Sequence, residues 1–433
     1  MRRREFLQTA GLAAAGITAG CAARKPPIAA APPPPAPASQ TATASARPMP
    51  NLALPRISWD RVIRTTIGLR PHRDSGFVLR PEKFDEKTVI HNYGFGGAGM
   101  SLAWGCGLMA AEMALEHGMP ADGLRRAAVL GCGSPGLTAA RQLQRRGFEV
   151  TIYAASIPPD TTSNMSSAGF TPTAGLVEAD RRTPAWDAQF RRAAELSYRQ
   201  LQLLAGAPGY GVYWIDSYNA IDDPKARPTS GTGGNPGEDL LPDYLNPGRS
   251  REILGPGEHP FPTRYAVLSS ALAIEPSIYL EALVRDFILF GGKIVIRKFD
   301  TPRDLMLLAE PILINCTGLG SKTLFNDQEL TPIRGQLTHC IPQPEVRYRA
   351  SGRMPGGNVN ASINPRSDGL CIGNMAERGN WSLEPNEDVR RQNVEGAMQF
   401  FGRMRPPSGP LTPQQASAPS SVPSLESFYG VES

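Results

Sequence analysis

The chain has 433 residues, 41% apolar and 20% charged, which is ample for a large core and ordinary for a globular protein. Its 45 basic and 40 acidic side chains are intermixed, with no basic stripe interleaved with aromatics, which argues against nucleic acid as a partner. Six cysteines (Cys21, Cys106, Cys132, Cys316, Cys340 and Cys371) form no CxxC pair and no zinc-ligand spacing with His, so no metal site is expected. All but Cys21 lie in apolar or Gly-rich runs and read as buried free thiols.

Residues 1–21 read as an export signal. Arg2-Arg3-Arg4-Glu5-Phe6-Leu7 precedes a short Ala/Gly-rich apolar run, too short to span a membrane as a helix. Arg3 to Leu7 looks like a twin-arginine motif, which would engage the machinery that exports folded proteins. Thr18-Ala19-Gly20-Cys21 resembles a lipobox, with Thr where Leu is usual, and makes Cys21 the candidate for lipidation and membrane anchoring. The simpler alternatives are cleavage nearby or an unprocessed, disordered N-terminus. An exported, periplasmic or extracytoplasmic location follows. Residues 22–55 are rich in Ala and Pro and predict a disordered linker, and 406–433 predict a disordered tail.

In residues 56–118, Gly68-Leu69-Arg70-Pro71-His72-Arg73 sets an arginine before proline, on residue type a solvated surface position. Thr88 to Tyr93 runs into Gly94-Phe95-Gly96-Gly97-Ala98-Gly99-Met100-Ser101, and a helix is predicted from Leu102 to Glu116. A glycine loop feeding a helix N-terminus can offer backbone N–H groups and the helix dipole to developing negative charge. The bland alternative is a tight turn without a ligand.

Residues 119–405 open with a buried strand, Ala127-Ala128-Val129-Leu130, then Gly131-Cys132-Gly133-Ser134-Pro135-Gly136, a helix from Leu137 to Arg146, and a second strand, Phe148 to Tyr153. Strand, GxGxxG, helix and strand in that order predict dinucleotide binding. The acidic residue expected after the second strand for ribose is missing; Ala154-Ala155 stands there. Hydroxyls follow at Thr161-Thr162-Ser163 and Ser166-Ser167, ahead of Ala168-Gly169-Phe170. Further on come a helix from Pro276 to Phe290, a strand from Lys293 to Lys298, a buried strand from Pro311 running into Gly318, and Arg334-Gly335-Gln336-Leu337. Pro365-Arg366, Asp368-Gly369, Ile372-Gly373 and Gly379-Asn380-Trp381-Ser382 read as a late hairpin.

These segments resemble the D-amino acid oxidase family of FAD-dependent oxidoreductases over about residues 60–390, weakly at 171–270. In that family the segments matching Gly68–Arg73 and Thr88–Cys106 come last; here they come first. The order implies a circular permutation joined through residues 117–126. The resemblance implies an α/β fold, a Rossmann-like FAD-binding domain with an interleaved mixed-sheet substrate domain. It implies FAD held by Gly96, Gly97, Ala98, Gly99, Met100, Ser101, Gly131, Gly133, Ser134, Pro135, Gly136, Ala154, Ala155, Thr161, Thr162, Ser163, Ser167, Ala168, Gly169, Phe299 and Gly318.

The activity it implies is oxidative deamination of a D-amino acid or a related primary or secondary amine, a small-molecule substrate, with O2 as acceptor. Arg70 would clamp the substrate carboxylate, and the Gly97 carbonyl would meet its amine. The family's two pocket tyrosines are replaced by Asn358 and Ser362. Tyr218, His339, Tyr348, Arg349 and Arg353 are candidates to replace them, although each reads as surface rather than site. A flavin dehydrogenase of another carboxylate or amine, and an inactive exported FAD-binding protein, stay open beside the oxidase.

Overall fold

The computed structural model describes residues 48–117, 123–167, 169–223, 236–245, 251–354, 360–373 and 375–409. Cys21, Ala168, Asn358 and the expected export signal lie outside these residues, as does most of the tail.

Two sheets organise the chain. β1 (Val62–His72) is followed by β2 (Val78–Phe84), β3 (Lys87–Tyr93), α1 (Gly99–His117), β4 (Arg126–Leu130), α2 (Ser134–Gln144) and β5 (Glu149–Ala154). Then come α3 (Pro184–Ala205), β6 (Val212–Ile221), β7 (Glu252–Leu254), β8 (Tyr265–Ile274), α4 (Pro276–Leu289), β9 (Lys293–Ile296), α5 (Pro302–Met306) and β10 (Ile312–Asn315). The chain continues through α6 (Ser321–Leu324), β11 (Thr331–Cys340), β12 (Tyr348–Arg353), β13 (Asn360–Arg366), β14 (Gly369–Ile372), β15 (Glu377–Arg378) and α7 (Glu387–Phe401).

The smaller sheet runs β2-β3-β10-β4-β5-β9. All its pairs are parallel except β2 with β3. Its central strands are buried along almost their whole length, as parallel strands covered on both faces require; β4 and β10 are mostly apolar, while β3 also buries Lys87, Thr88, His91 and Asn92. α1 explains its own lack of a polar face: twelve of its residues are buried, because it packs between α2 and α3. A Cβ on Gly105 would stand 2.1 Å from the Ala193 carbonyl oxygen, and one on Gly107 2.9 Å from the Ala139 nitrogen, so both helices approach where α1 has no side chain.

The larger sheet runs β1-β11-β14-β13-β12-β6-β8-β7, with β15 beside β11. Its strands alternate. Tyr218, Tyr348, Ala350, Ala361 and Ile363 face a core shared with Val394, Ala397, Phe400 and Phe401 of α7. The intervening residues Ser217, Arg349, Ser351, Ser362 and Asn364 instead line a cavity.

Three expectations change. The linker does not reach residue 55, because Leu52 and Ala53 are buried in the α7 core. Residues 56–118, which the resemblance implies are a permuted C-terminal part of the FAD-binding fold, do not all join the smaller sheet: β1 pairs with β11 in the larger sheet, from Val62 opposite Cys340 to His72 opposite Thr331. Tyr218, Tyr348 and His339 are buried rather than surface residues, because their strands' inward faces carry them; Arg353 is exposed as expected.

His339 yields a stability prediction. Its ring lies 2.9 Å from Thr66 Oγ1 and 3.4 Å from Cys371 Sγ. Burial, helped by Arg366 and Arg64, holds its pKa down to about 4. An unfolded histidine titrates near 6.5, so between those values the unfolded chain binds the extra proton. The stabilisation is complete above about pH 6.5 and is expected to be lost as pH falls towards 4, on the order of 3 kcal/mol in all. Urea unfolding at pH 7.5 and 5 should show the decline, and His339→Gln should flatten it; an equal decline in the variant would assign it to other groups.

Candidate flavin site

A cleft with about 410 Å³ of room lies between the two sheets. Three chain segments of the smaller sheet's domain build one side of it.

The β4–α2 turn is the first. Gly131 has φ +109°, which only glycine adopts readily, and donates its N–H to the Tyr153 carbonyl at 2.7 Å. A Cβ on Gly136 would stand 2.0 Å from the Gly131 carbonyl oxygen, so α2 can start this close to β4 only with glycine there. Gly131, Gly133 and Pro135 line the cleft; Ser134 and Gly136 are buried behind it. α2 itself begins at Ser134, three residues before the predicted start, and ends at Gln144.

Thr161, Thr162 and Ser163 form the second segment. All three line the cleft. Ser163 Oγ accepts the Ser134 N–H at 3.0 Å, tying this loop to the start of α2. Thr161 Oγ1 donates to Asn164 Oδ1 at 2.7 Å. Ala154 and Ala155 line the cleft, as do Ser167, Gly169, Phe299 and Gly318.

The third segment is the glycine loop before α1. Gly96, Gly97, Gly99 and Met100 line the cleft, while Ala98 is fully buried. Ser101 lies behind, its hydroxyl accepting the Thr171 N–H at 2.7 Å. The expectation that this whole loop offers N–H groups needs correction. Gly96 donates to the Pro71 carbonyl at 2.7 Å, Gly97 to Ala174 at 2.8 Å and Ala98 to Phe95 at 2.8 Å. Those bonds shape the loop, so donation towards a ligand falls to the first turn of α1, at Gly99 and Met100, whose N–H groups have no partner inside the helix.

The larger sheet supplies the other side. Gly68, Arg70, Gly335 and Leu337 of β1 and β11 line the cleft. The Arg70 guanidinium crosses Gly335: a Cβ there would stand 2.7 Å from Nη2 and 2.9 Å from Cζ. Burial lowers the Arg70 pKa, the sign of a cation drawn out of bulk water. The glycine of Arg334-Gly335-Gln336 is thus the groove in which Arg70 lies. Arg334 turns the other way and donates to the Ser382 carbonyl and to Glu377.

Ser362 does not line this cleft. It lines an adjoining cavity of about 210 Å³ with Arg349, Ser217, Asn364 and Cys371. Sequence reasoning also passed over Arg297, Lys298, Cys132 and Cys316, all of which line the main cleft. Cys132 was visible as the residue between the first two glycines of GxGxxG. Arg297 and Lys298 follow β9, and only its pairing with β5 brings them beside Ala154, whose carbonyl accepts the Arg297 N–H at 2.9 Å.

A helix N-terminus over a glycine turn, hydroxyls beyond the next strand and a second glycine loop along one cleft define a dinucleotide-binding α/β protein. The groups present fit FAD. The cradle at Gly131 to Gly136 is one that side chains would fill, and the cleft continues from it to Gly96–Met100 and Arg70.

The sequence profile of the FAD dependent oxidoreductase family matches residues 15–113 and 126–421, and the chain belongs to that family. It is 26% identical over 278 residues to a D-amino acid oxidase of Dugesia ryukyuensis, covering 62% of this chain and 75% of the relative. It is 28% identical over 271 residues to a D-amino-acid oxidase of Rubrobacter xylanophilus, again covering 62% and 75%. Among solved structures, a glycine oxidase from Geobacillus kaustophilus superposes with a TM-score of 0.45 at 14% identity, over 65% of this chain and 80% of that one.

Proposed function

We propose that the protein oxidises the α-carbon–nitrogen bond of a D-amino acid, yielding a 2-oxo acid and ammonia. FAD, when bound, would supply the redox chemistry of this reaction, with O2 as the final two-electron acceptor reduced to hydrogen peroxide and water hydrolysing the imino acid. The observation that carries this reading is Arg70, a desolvated guanidinium laid across Gly335 in the cleft that Gly96 to Met100 also line. A guanidinium there can hold a carboxylate through two parallel hydrogen bonds. Gly97 contributes backbone to the same cleft, where its carbonyl would receive the substrate amine.

The family's segment order also reads as a circular permutation. The join between α1 and β4 is only residues 118–125, and β10 lies between β3 and β4, parallel to both. Such a short link needs the two joined ends to be neighbours. Residues 1–21 read as a twin-arginine signal with Cys21 as lipid acceptor, which would place the enzyme outside the cytoplasmic membrane.

Anaerobic titration of the purified holoprotein tests the reaction. The yellow protein is expected to bleach with some D-amino acid and to release peroxide on re-aeration. Bleaching without peroxide would make it a dehydrogenase; a colourless protein from FAD-replete expression would end both enzyme readings.

A further inference from the structure

Arg349 is absorbed by neither the flavin cradle nor the Arg70 clamp. It lies in β12, opposite Ser217 of β6, on the face of the sheet turned away from the α7 core. Among the described residues it makes no hydrogen bond and no ion pair, and its Nε is buried without a partner. A Cβ on Gly169 would stand 2.7 Å from its Nη1, and Gly169 lines the main cleft. Ser167 and Leu337 line both the main cleft and the cavity that Arg349 lines, so the two spaces share a wall. Arg70 and Arg349 therefore stand in adjoining compartments of one site.

The surroundings offer Arg349 no negative charge. Ser217, Ser351, Ser362, Asn364 and Cys371 line its cavity. The Cys371 thiol is pushed up to about 12 by burial and stays neutral. Tyr213, which also acts on Arg349, is likewise raised to about 12. Glu275 is engaged elsewhere, accepting the Ser367 N–H at 2.5 Å. Desolvation pulls the guanidinium itself to about 10, which leaves it charged at neutral pH. A buried charge without a partner is costly, and a ligand that brings the opposite charge recovers that cost.

We propose that Arg349 receives a second carboxylate, carried on the substrate's side chain, so that the preferred substrate is an acidic amino acid. This rests on the reading of the site as an amino acid oxidase, with Arg70 holding the α-carboxylate. It also gives the two missing tyrosines a physical reason. Small polar residues such as Ser362 leave room above Arg349 for a charged side chain that an aromatic lid would exclude.

Isosteric substrates separate charge from size. In anaerobic flavin reduction, D-glutamate and D-aspartate are expected to exceed D-glutamine and D-asparagine in kcat/KM by roughly ten- to a hundredfold, the worth of hydrogen bonds to a charged group. Arg349→Met should remove that preference while changing the amide rates only a few-fold. Should Arg349→Met fold poorly or lose flavin, Ser217→Asp offers an internal counter-ion in the neighbouring strand and should remove the same preference. A readout without turnover is thermal melting of the holoprotein with succinate or glutarate against butyrate. The dicarboxylates should stabilise it more, and only while Arg349 is free to bind them. Amides reacting as well as acids, or variants that lower both alike, would overturn the proposal. If no amino acid bleaches the flavin, the oxidase reading falls; Arg349-dependent dicarboxylate binding would still locate the anion site, and its absence would remove that too.

Discussion

Arg70→Leu is expected to lower kcat/KM by roughly a hundred- to a thousandfold while the protein stays yellow. The loss follows from removing one partner of a desolvated charge pair, worth about 2–5 kcal/mol where such pairs have been cut. FAD retention is expected because the cradle at Gly131 to Gly136 is built on another sheet. Gly335→Ala tests the same arrangement without touching the charge. The three atoms nearest its new Cβ all belong to the far end of the Arg70 side chain, which can swing aside. Stability should therefore change little, while the clamp is displaced and KM rises. A Gly335→Ala enzyme with unaltered kinetics would show that Arg70 does not act from this groove. Steady-state peroxide assays with flavin content measured in parallel would check both variants.

Gly136→Val should have the larger effect on the holoprotein itself. The contact it makes is with backbone, the Gly131 carbonyl oxygen at 2.0 Å from the first added atom, so no side-chain motion relieves it. Moving α2 away from β4 opens the turn that receives phosphate and also disturbs Leu137, Ala139, Ala140 and Leu143, all fully buried. Overpacking of this kind costs about 1–3 kcal/mol or more. The variant is expected to purify with little FAD and a lowered Tm that added FAD restores only in part. Full flavin content would contradict the packing role assigned to this glycine.

The flavin side of the site was legible in the sequence because it is local. Gly131, Gly133 and Gly136 sit within six residues, between strand and helix signals strong enough to fix their geometry. Arg70 was found through a segment resemblance, whereas its seat on Gly335 depends on a strand pairing between residues more than 250 positions apart, which no local pattern encodes. Arg349 was misplaced for the same reason. In β12 the alternation Tyr348, Arg349, Ala350 says only that one face is polar, and the usual reading of a polar face is solvent. Here Ser167 and Gly169 approach that face and turn it into a cavity wall. The N–H groups of Gly96 and Gly97 were assigned to a ligand because a glycine loop advertises donors. Their acceptors, Pro71 and Ala174, come from other parts of the chain.

Arg73 has a mechanical consequence. β1 and β2 belong to different sheets, yet only residues 73–77 separate them. Arg73 clasps that crossing: it donates to Ser75 and to the Gly76 carbonyl, and pairs with Asp327 at 2.8 Å and Glu329 at 2.6 Å, while Asp327 also accepts from Tyr93 of β3 at 2.9 Å. A hinge opening the cleft at this point would have to break the whole clasp. The clasp therefore opposes any swing of the two sheets about this crossing, and it holds Arg70, two residues before the end of β1, at a set spacing from the Gly131 to Gly136 turn.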